Sequence, residues 1–287
     1  MKAVDPHGRS VLITGCSAGI GRATAIHLAR KGFTVLATVR KETDAEKLRG
    51  LGIPGLFPLC PLDLSKPEQI PAIMKAVERE LEARGQEGLF ALVNNAGGGS
   101  VAPIELMDPG RFRTELEARV AGPAALVQAV LPRLRRAGGR IVWIMTPAII
   151  PTPYVASIHA CDFAVNGLAR TLDIELKPWA IPNIMIRCGG IRTEAVSKSD
   201  AEFEADLKSW PPEKRALYEP ALRKWSESLA AFNTKRTAPE KVAAVVEKAL
   251  SSAKPKRRYS IGHMAKAAAF LESLPQGLAD RILRARF

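Results

Sequence analysis

Short apolar runs alternate with longer amphipathic stretches along most of the chain, and this alternation constrains the fold more than any other feature. The apolar runs are rich in Val, Ile and Leu, as is typical of strands that helices cover on both faces. Candidate strands are SVLIT (10–14), FTVLATV (33–39), GLFPLC (55–60), LFALVN (89–94), GRIVWIM (139–145), NIMIRC (183–188) and RRYSIG (257–262). Candidate helices span 19–31, 43–50, 66–84, 110–136, 156–177 and 239–252. We therefore predict an α/β fold with a doubly wound parallel sheet of about seven strands and helices on both faces.

The alternation stops after Cys188. Residues 189–237 hold polar helical pieces without a candidate strand. In a doubly wound sheet this stretch follows the carboxyl end of a strand, where ligands bind, so we predict that it is a substrate lid. No linker, repeat or low-complexity tract divides the chain. We expect one domain over 1–287 that ends in a helical extension over 263–287.

The helical extension carries apolar residues at helical spacing. They are Met264, Ala267, Ala268 and Leu271, then Leu278, Ile282 and Phe287, with Arg281, Arg284 and Arg286 opposite the second group. Such stripes usually pack on their own domain, and we expect the same here. The alternative is a basic amphipathic face that contacts a membrane or the carrier of a hydrophobic ligand.

The net charge of +13 is the unusual feature of the composition. Basic proteins attract phosphates, acidic lipid surfaces and nucleic acid. However, the chain has no nucleic-acid motif, and its aromatic content of 6% is low for base stacking. We therefore expect no nucleic-acid partner. We interpret the charge, including the KPKRR run at 254–258, as a solvated surface on a protein that binds a phosphorylated cofactor.

The sequence shows no signal for export or for membrane insertion. Its N-terminal residues contain no basic region followed by an apolar run and a cleavage site, and no apolar run is long enough to cross a bilayer. The four cysteines lack the spacing of a metal site or a disulfide framework. These patterns predict no metal site, reduced thiols and a cytoplasmic location.

A glycine-rich turn, TGCSAGIG (14–21), joins the first candidate strand to the first helix. This context is typical of a Rossmann-like dinucleotide loop. Gly15 allows a tight turn, Gly19 lets the backbone approach a pyrophosphate, and Gly21 lets the helix pack closely on the strand. The predicted cofactor contacts in this turn are Gly15, Ser17, Gly19, Ile20 and Gly21. The alternative is a glycine-rich turn without a ligand.

Two side chains beyond the turn bear on which cofactor binds. Arg40 follows the second strand, where a guanidinium can clamp a 2′-phosphate and a carboxylate would instead bind a ribose hydroxyl of NAD. With Arg22 near the turn, Arg40 favours NADP(H) over NAD, and the alternative is a solvent-facing arginine. Asp63 follows the third strand, and it either hydrogen-bonds the adenine edge or caps the helix that begins near Ser65.

The glycine turn, the DLS after the third strand and NNAG (94–97) form a specific combination. With it, the chain resembles the short-chain dehydrogenase/reductase superfamily from about Ser10 to its end. The phrases VLATVRK, PEQI and PKRRYSIG look most like the branch of retinol, hydroxysteroid and hydroxybutyrate dehydrogenases. The resemblance implies a seven-stranded parallel sheet with NAD(P) across its carboxyl edge.

The resemblance also implies cofactor contacts outside the glycine turn. NNAG would support the sheet and border the cofactor. RCGGIRT (187–193) resembles the family's proline–glycine cofactor loop, in which Thr193 would contact the nicotinamide amide and Cys188 stands where proline is usual. The contacts implied are Asn95, Ala96, Gly97, Gly189 and Thr193.

The family's chemistry needs a tyrosine that transfers a proton, a lysine four residues later, a serine or threonine that positions the substrate oxygen, and an asparagine. A phenol with a pKa of about 10 is a poor acid or base at neutral pH unless a cation stabilises its anion. The register read backwards from Phe163 puts Asp162 at the lysine position and Ile158 at the tyrosine position. Thr146 takes the serine position and Arg119 the asparagine position. The resemblance thus implies a tetrad that has lost three of its four members.

Tyr154 and His159 are the alternatives to the lost proton donor. YVAS looks like the start of the family's YxxSK signature, but the residue four after Tyr154 is Ile158, so no lysine would activate it. His159 has a better intrinsic pKa, yet it lies one position from the tyrosine site and is turned by roughly 100° on the helix.

Arg119 and Asp162 carry opposite charges on two helices that face one another beside the ribose in the family. In one interpretation they form a new polar centre, with Asp162 as a base or ribose acceptor and Arg119 as a clamp for an anion or a carbonyl. In the other interpretation they form a structural salt bridge that stabilises a site without catalytic activity.

We therefore expect an NADP(H)-binding protein that acts on a hydrophobic small molecule, as an atypical oxidoreductase or as a non-redox isomerase or cyclase. Lost protonation typically lowers a rate by about 10²–10⁴-fold, so a slow reductase is compatible with the site. The candidate catalytic residues are Thr146, Asp162, Arg119, Tyr154 and His159. The alternative is a non-catalytic protein that forms a homo-oligomer, or a heterodimer with an active relative, through the helices at 110–136 and 156–177.

Overall fold

The computed structural model describes residues 4–147 and 150–286, and these residues contain a seven-stranded sheet in which all neighbouring strands run parallel. The strands are β1 (Ser10–Ile13), β2 (Thr34–Thr38), β3 (Leu56–Leu59), β4 (Ala91–Asn94), β5 (Arg140–Met145), β6 (Asn183–Cys188) and β7 (Arg258–Ile261). Their order across the sheet is β3-β2-β1-β4-β5-β6-β7, so the order reverses between β1 and β4. The predicted α/β sheet is confirmed, and each predicted strand is present.

Helices connect the strands and cover both faces of the sheet. They are α1 (Gly19–Arg30), α2 (Glu42–Arg49), α3 (Ile70–Glu82), α4 (Pro109–Leu116), α5 (Gly122–Ala137), α6 (Ala156–Glu175), α7 (Glu194–Ser209), α8 (Pro212–Asn233), α9 (Pro239–Ser251), α10 (Ala265–Glu272) and α11 (Gln276–Arg286). A π-helical segment, Glu117–Ala121, joins α4 to α5, so the predicted helix over 110–136 contains an irregular turn. In the described part of the chain, no helix is long and apolar enough to cross a membrane.

The sheet is buried on both faces because alternate residues of each strand point to opposite sides. Val11 and Ile13 of β1 lie in an apolar cluster with side chains of α1, α2 and α9. Leu12 lies in a second cluster with side chains of α3, α5 and α6. All three are fully buried. This two-sided burial explains why the strands read as unbroken apolar runs.

The 189–237 segment folds into α7 and α8, which follow the carboxyl end of β6. Its apolar side chains form a third cluster with the connection between β4 and α4. The buried members of this cluster are Ala102, Met107, Phe203, Leu207, Trp210 and Leu222. The segment therefore contacts the carboxyl edge of the sheet, where its role as a substrate lid stays a prediction.

The prediction that the helical extension packs on its own domain is only partly right. Leu271 is half-buried, but Phe270, Leu278 and Ile282 are exposed. The reason is that α10 packs against β7 whereas α11 packs mainly against α10, which leaves the outer faces of both helices uncovered by described residues. Phe287 lies outside the described residues.

Candidate functional site

The glycine-rich turn lies at the carboxyl end of β1, beside the point where the strand order reverses. Gly15 and Gly19 have φ angles of +71° and +57°, which glycine adopts without strain. Gly21 has no room for a side chain, because a Cβ there would lie 2.2 Å from the carbonyl oxygen of Gly15 and 2.4 Å from Nδ2 of Asn95. The start of α1 therefore packs directly against the end of β4.

The first turn of α1 suits an anion. Within the described residues the helix begins without a side-chain cap, and its first turn has no acidic residue, so its first N–H groups have no side-chain acceptor there. Ser17 is exposed in the turn, whereas Ile20 packs on the cluster beneath α1. A Cβ on Gly19 would lie 3.2 Å from Cγ2 of Thr193, so these two predicted contacts lie side by side.

Hydrogen bonds through Thr14 and Asn95 join the ends of β1 and β4. Nδ2 of Asn95 donates to the carbonyl oxygens of Thr14 at 2.9 Å and Gly15 at 3.1 Å. The backbone amides of Asn95 and Ala96 donate to the Thr14 hydroxyl oxygen at 2.9 and 3.0 Å. Asn95 thus holds the glycine turn, and the exposed Gly97 follows at the sheet edge. Thr14 was not predicted, although its place at the strand end was an available signal.

Arg40 and Asp63 follow the ends of β2 and β3. Arg40 is exposed. Asp63 accepts hydrogen bonds from the Ser65 amide at 3.0 Å and from the Ser65 hydroxyl at 2.8 Å. Burial alone would raise the pKa of Asp63, but these bonds and the charge of Arg40 outweigh it and hold that pKa below its ordinary value. The observed geometry matches a local turn-capping role for Asp63, and the adenine contact stays a prediction.

The loop after β6 is held by close packing. A Cβ on Gly189 would lie 2.1 Å from the carbonyl oxygen of His263, and the Gly189 amide donates to Ile261 at 2.8 Å. Gly189 therefore lets this loop pack on the chain that follows β7. Burial raises the pKa of the Cys188 thiol to about 12, with Asp162 adding to the effect, so the thiol is unreactive at neutral pH.

Arg119, Thr146 and Asp162 meet at the carboxyl end of β5 and are called the polar centre below. Arg119 comes from the π-helical segment, Thr146 follows β5, and Asp162 lies on α6. Nη2 of Arg119 donates to Oδ1 of Asp162 at 2.8 Å. The amide of Thr146 donates to Oδ2 at 3.3 Å, and its hydroxyl donates to the same oxygen. The predicted ion pair is present, with side chains only 11% and 4% exposed.

The hydrogen bonds of the polar centre determine what it can still bind. Both carboxylate oxygens of Asp162 have partners. Since the Thr146 hydroxyl donates to Asp162, it can accept a hydrogen bond from a ligand but cannot donate one. Nη1 of Arg119 is buried without a hydrogen-bond partner in the described residues. A buried donor without an acceptor is unfavourable, so Nη1 would gain from a hydrogen bond to a ligand oxygen. It is therefore the donor through which the polar centre can bind a ligand.

Ile158, which the sequence resemblance puts at the position of the family's phenol, packs against Gly99. A Cβ on Gly99 would lie 2.2 Å from Cγ1 of Ile158 and 3.4 Å from Nη1 of Arg119. The absence of a side chain at Gly99 therefore makes room for both residues. Gly99 was not predicted, because a contact between segments so distant in the chain leaves no local signal.

Neither Tyr154 nor His159 hydrogen-bonds the polar centre within the described residues. Tyr154 has a φ of +67°, and its ring meets Trp225 edge-on at 6.0 Å in the third apolar cluster. Burial lowers the pKa of His159 against the opposing charge of Asp162, so the imidazole is neutral at neutral pH. Its Nδ1 is buried without a partner in the described residues.

The sequence profile of the short chain dehydrogenase family matches residues 9–204, and the chain belongs to this family. An 11-beta-hydroxysteroid dehydrogenase type 2 from Bos taurus is 33% identical over 97% of this chain and 70% of its own length. Retinol dehydrogenase 5 from Mus musculus is 30% identical over 95% of this chain and 87% of its own length. These relatives place the chain in the hydroxysteroid and retinol dehydrogenase branch, which confirms the branch predicted from the sequence.

The fold agrees with a solved structure of the same family. The crystal structure of a short-chain dehydrogenase from Streptomyces avermitilis superposes with a TM-score of 0.75 at 25% identity and covers 97% of both chains. This fold binds a nicotinamide cofactor, and the turn at 14–21 fits one. Its glycines at 15 and 19 have positive φ angles, and within the described residues no side chain caps the first N–H groups of that helix.

Proposed function

We propose that the chain is an NADP(H)-binding short-chain dehydrogenase homologue in which the polar centre replaces the family's tyrosine–lysine pair. Its substrate is a hydrophobic small molecule that presents a carbonyl or carboxylate oxygen. The observation that carries this proposal is the buried Nη1 of Arg119, which lacks a partner in the described residues. A guanidinium N–H in such a place binds a ligand oxygen strongly once water is excluded.

Each residue of the polar centre has a separate role in this proposal. Nη1 of Arg119 would bind and polarise the substrate oxygen, while Asp162 fixes the guanidinium through Nη2. The Thr146 hydroxyl would accept a hydrogen bond from a substrate hydroxyl. When bound, the nicotinamide supplies a hydride donor or acceptor. Without a phenol, the substrate or solvent provides the proton, which suits a slow oxidoreductase, an isomerisation or a cyclisation.

Replacing Arg119 with lysine tests this role. Lysine keeps the positive charge beside Asp162 but lacks the planar fork that serves two acceptors at once. We expect the initial rate of NADPH oxidation with steroid or retinoid carbonyl compounds to fall by about 10²-fold, because one donor to the developing oxyanion is lost. The exposed Arg113→Lys is the matched control and should leave the rate unchanged. A rate that survives Arg119→Lys would contradict the proposal.

The cofactor choice depends on Arg40. Arg40→Asp should weaken NADP⁺ binding by about 10- to 100-fold, since charge-assisted hydrogen bonds to a phosphate are lost, and should leave NAD⁺ binding equal or tighter. Titration calorimetry with both dinucleotides measures this directly. Arg79→Asp makes the same charge change at another exposed site and should preserve the preference. If Arg40→Asp weakened the binding of both dinucleotides equally, Arg40 would not be the residue that binds the 2′-phosphate.

The second candidate function is a non-catalytic protein that pairs with an active relative. The observation that favours it is the saturation of Asp162, whose two oxygens are taken by Arg119 and Thr146 and are not free to act as a base. Such a protein would bind the dinucleotide, turn over no substrate alone, and associate through α4, α5 and α6. Analytical ultracentrifugation with and without an active relative separates the two candidates. The cytoplasmic location and the absence of a nucleic-acid partner also remain predictions.

A further inference from the structure

The last two helices expose an unusual share of the protein's apolar side chains. Four of the ten large apolar side chains that are exposed in the described chain lie here: Met264, Phe270, Leu278 and Ile282. Phe270 is 64% exposed, and Leu278 and Ile282 are 46% and 41% exposed. The last two lie four residues apart and so share one face of α11. We call Leu278 and Ile282, together with Phe270 on the adjoining α10, the terminal apolar face.

Basic side chains surround the terminal apolar face. Arg281 and Arg284 are exposed on α11, and Lys266 is exposed on α10. From Lys254 to Arg286 the sequence holds eight Lys or Arg residues and only two acidic residues. The helical phase of α11 puts Arg281 next to Ile282 and one turn from Leu278, on the border of the apolar face.

The basic run at 254–258 lies near the same surface. Nη1 of Arg258 lies 3.5 Å from Oε1 of Glu272, the last residue of α10. Glu272 also accepts a hydrogen bond from the buried Arg187 of β6 at 2.8 Å. These bonds hold the end of α10 against the start of β7. The exposed Lys254 and Lys256 therefore extend the positive charge along the side of the helices.

We propose that the terminal apolar face and its flanking cations dock on an acidic lipid surface. Helices with apolar residues on one face and Lys or Arg beside them lie in the headgroup region of acidic bilayers, where acyl chains accept the apolar side chains. A second copy is the less suitable occupant, since a two-fold contact through this face brings Arg281 and Arg284 of both copies into one interface. This inference is independent of the chemistry at the polar centre.

Vesicle co-sedimentation of the full chain tests the proposal. The chain should bind phosphatidylcholine vesicles that contain about 30% phosphatidylserine, bind pure phosphatidylcholine much less, and leave the acidic vesicles at high salt. Arg281→Gln/Arg284→Gln should weaken binding roughly 25-fold, since each cation near the surface contributes about fivefold. Phe270→Ser/Leu278→Ser/Ile282→Ser should weaken it by at least about tenfold through lost apolar burial.

Matched controls change the same chemistry elsewhere on the surface. Ile104→Ser/Leu217→Ser removes apolar side chains that are 68% and 72% exposed, and Arg79→Gln/Arg113→Gln removes two exposed cations. Both should bind like the wild type.

Several results would overturn the proposal. The first is a wild type that does not bind acidic vesicles. The second is wild-type binding to neutral vesicles that equals its binding to acidic ones. The third is control variants that lose as much binding as the test variants. Sedimentation velocity without lipid covers the competing occupant. If the triple serine variant splits a dimer there and leaves vesicle binding unchanged, the face is a contact between copies and the lipid proposal is wrong.

Discussion

Asp162→Ala should lower the free energy of unfolding by about 3–5 kcal/mol, which is the usual cost of leaving a buried charge without its partner. Arg119 is 11% exposed, so water cannot replace the lost carboxylate well. Thr146 loses the acceptor of its amide and its hydroxyl at the same time. Denaturant titration of both proteins, extrapolated linearly to water, measures the difference.

A double variant separates the structural and functional interpretations of this pair. Arg119→Leu/Asp162→Leu removes both charges, and apolar replacement of a buried pair is often neutral, so its stability should lie within about 1–2 kcal/mol of the wild type. If its cofactor binding and turnover also match the wild type, the pair is a structural salt bridge. If the fold survives and turnover is lost, the pair serves the chemistry.

Asp173→Ala controls for the loss of a carboxylate as such. Asp173 binds the Asn183 amide and Arg257, but its side chain is 26% exposed, so its removal should cost less than that of Asp162. An Asp162→Ala variant as stable as the Asp173→Ala variant would contradict a buried pair at the polar centre.

The strands were predictable because two-sided burial leaves a direct trace in the sequence. β2 needs apolar residues in succession, and TVLAT over Thr34–Thr38 lies inside the predicted run 33–39. The end of α1 was equally predictable, because Gly32 follows the helix. Its φ of +94° lies in the region that glycine tolerates best. These signals are local, so a single sequence suffices to read them.

The polar centre was predictable only in part. Opposite charges at Arg119 and Asp162 indicated a pair once the resemblance had placed their helices opposite each other. The hydroxyl and the backbone amide of Thr146 both donate to Oδ2, and this contact between β5 and α6 is not visible in the local sequence pattern. The π-helical turn that carries Arg119 was also not predicted; it adjoins Gly122, where a Cβ would lie 1.9 Å from the Leu64 carbonyl oxygen, a close contact between distant segments. Such tertiary contacts override local helical preference.

The error at the helical extension has a different cause. An apolar stripe shows that a helix has a face to bury, but not whether the protein offers a surface to receive it. Here one side of α10 packs against β7, and α11 packs mainly against α10. The sequence pattern therefore predicts these residues to be buried, whereas the fold exposes them. An exposed apolar patch of this kind indicates a binding surface.

Arg119→Asn/Ile158→Tyr/Asp162→Lys should raise NADP(H)-linked turnover of a hydrophobic carbonyl compound by about 10²–10⁴-fold, the usual contribution of a positioned acid or base. Lysine at 162 would stabilise the phenolate of a tyrosine at 158 and so lower the pKa of that phenol. Without the carboxylate, the Thr146 hydroxyl is released to donate to the substrate oxygen. Arg119 is replaced because its charge would repel the new ammonium.

Phenylalanine at 158 in the same background is the decisive control. It presses a ring of nearly the same size against Gly99, where the Ile158 side chain now packs, but it has no hydroxyl. A gain with tyrosine that is absent with phenylalanine assigns the effect to the proton and not to altered packing, and the pH–rate profile should acquire a new ionisation with it. Equal rates in the two variants would show that the phenol is not the donor. A wild type as fast as the tyrosine variant would show that the polar centre already protonates its substrate, so that its residues have taken over the task that the family gives to the phenol.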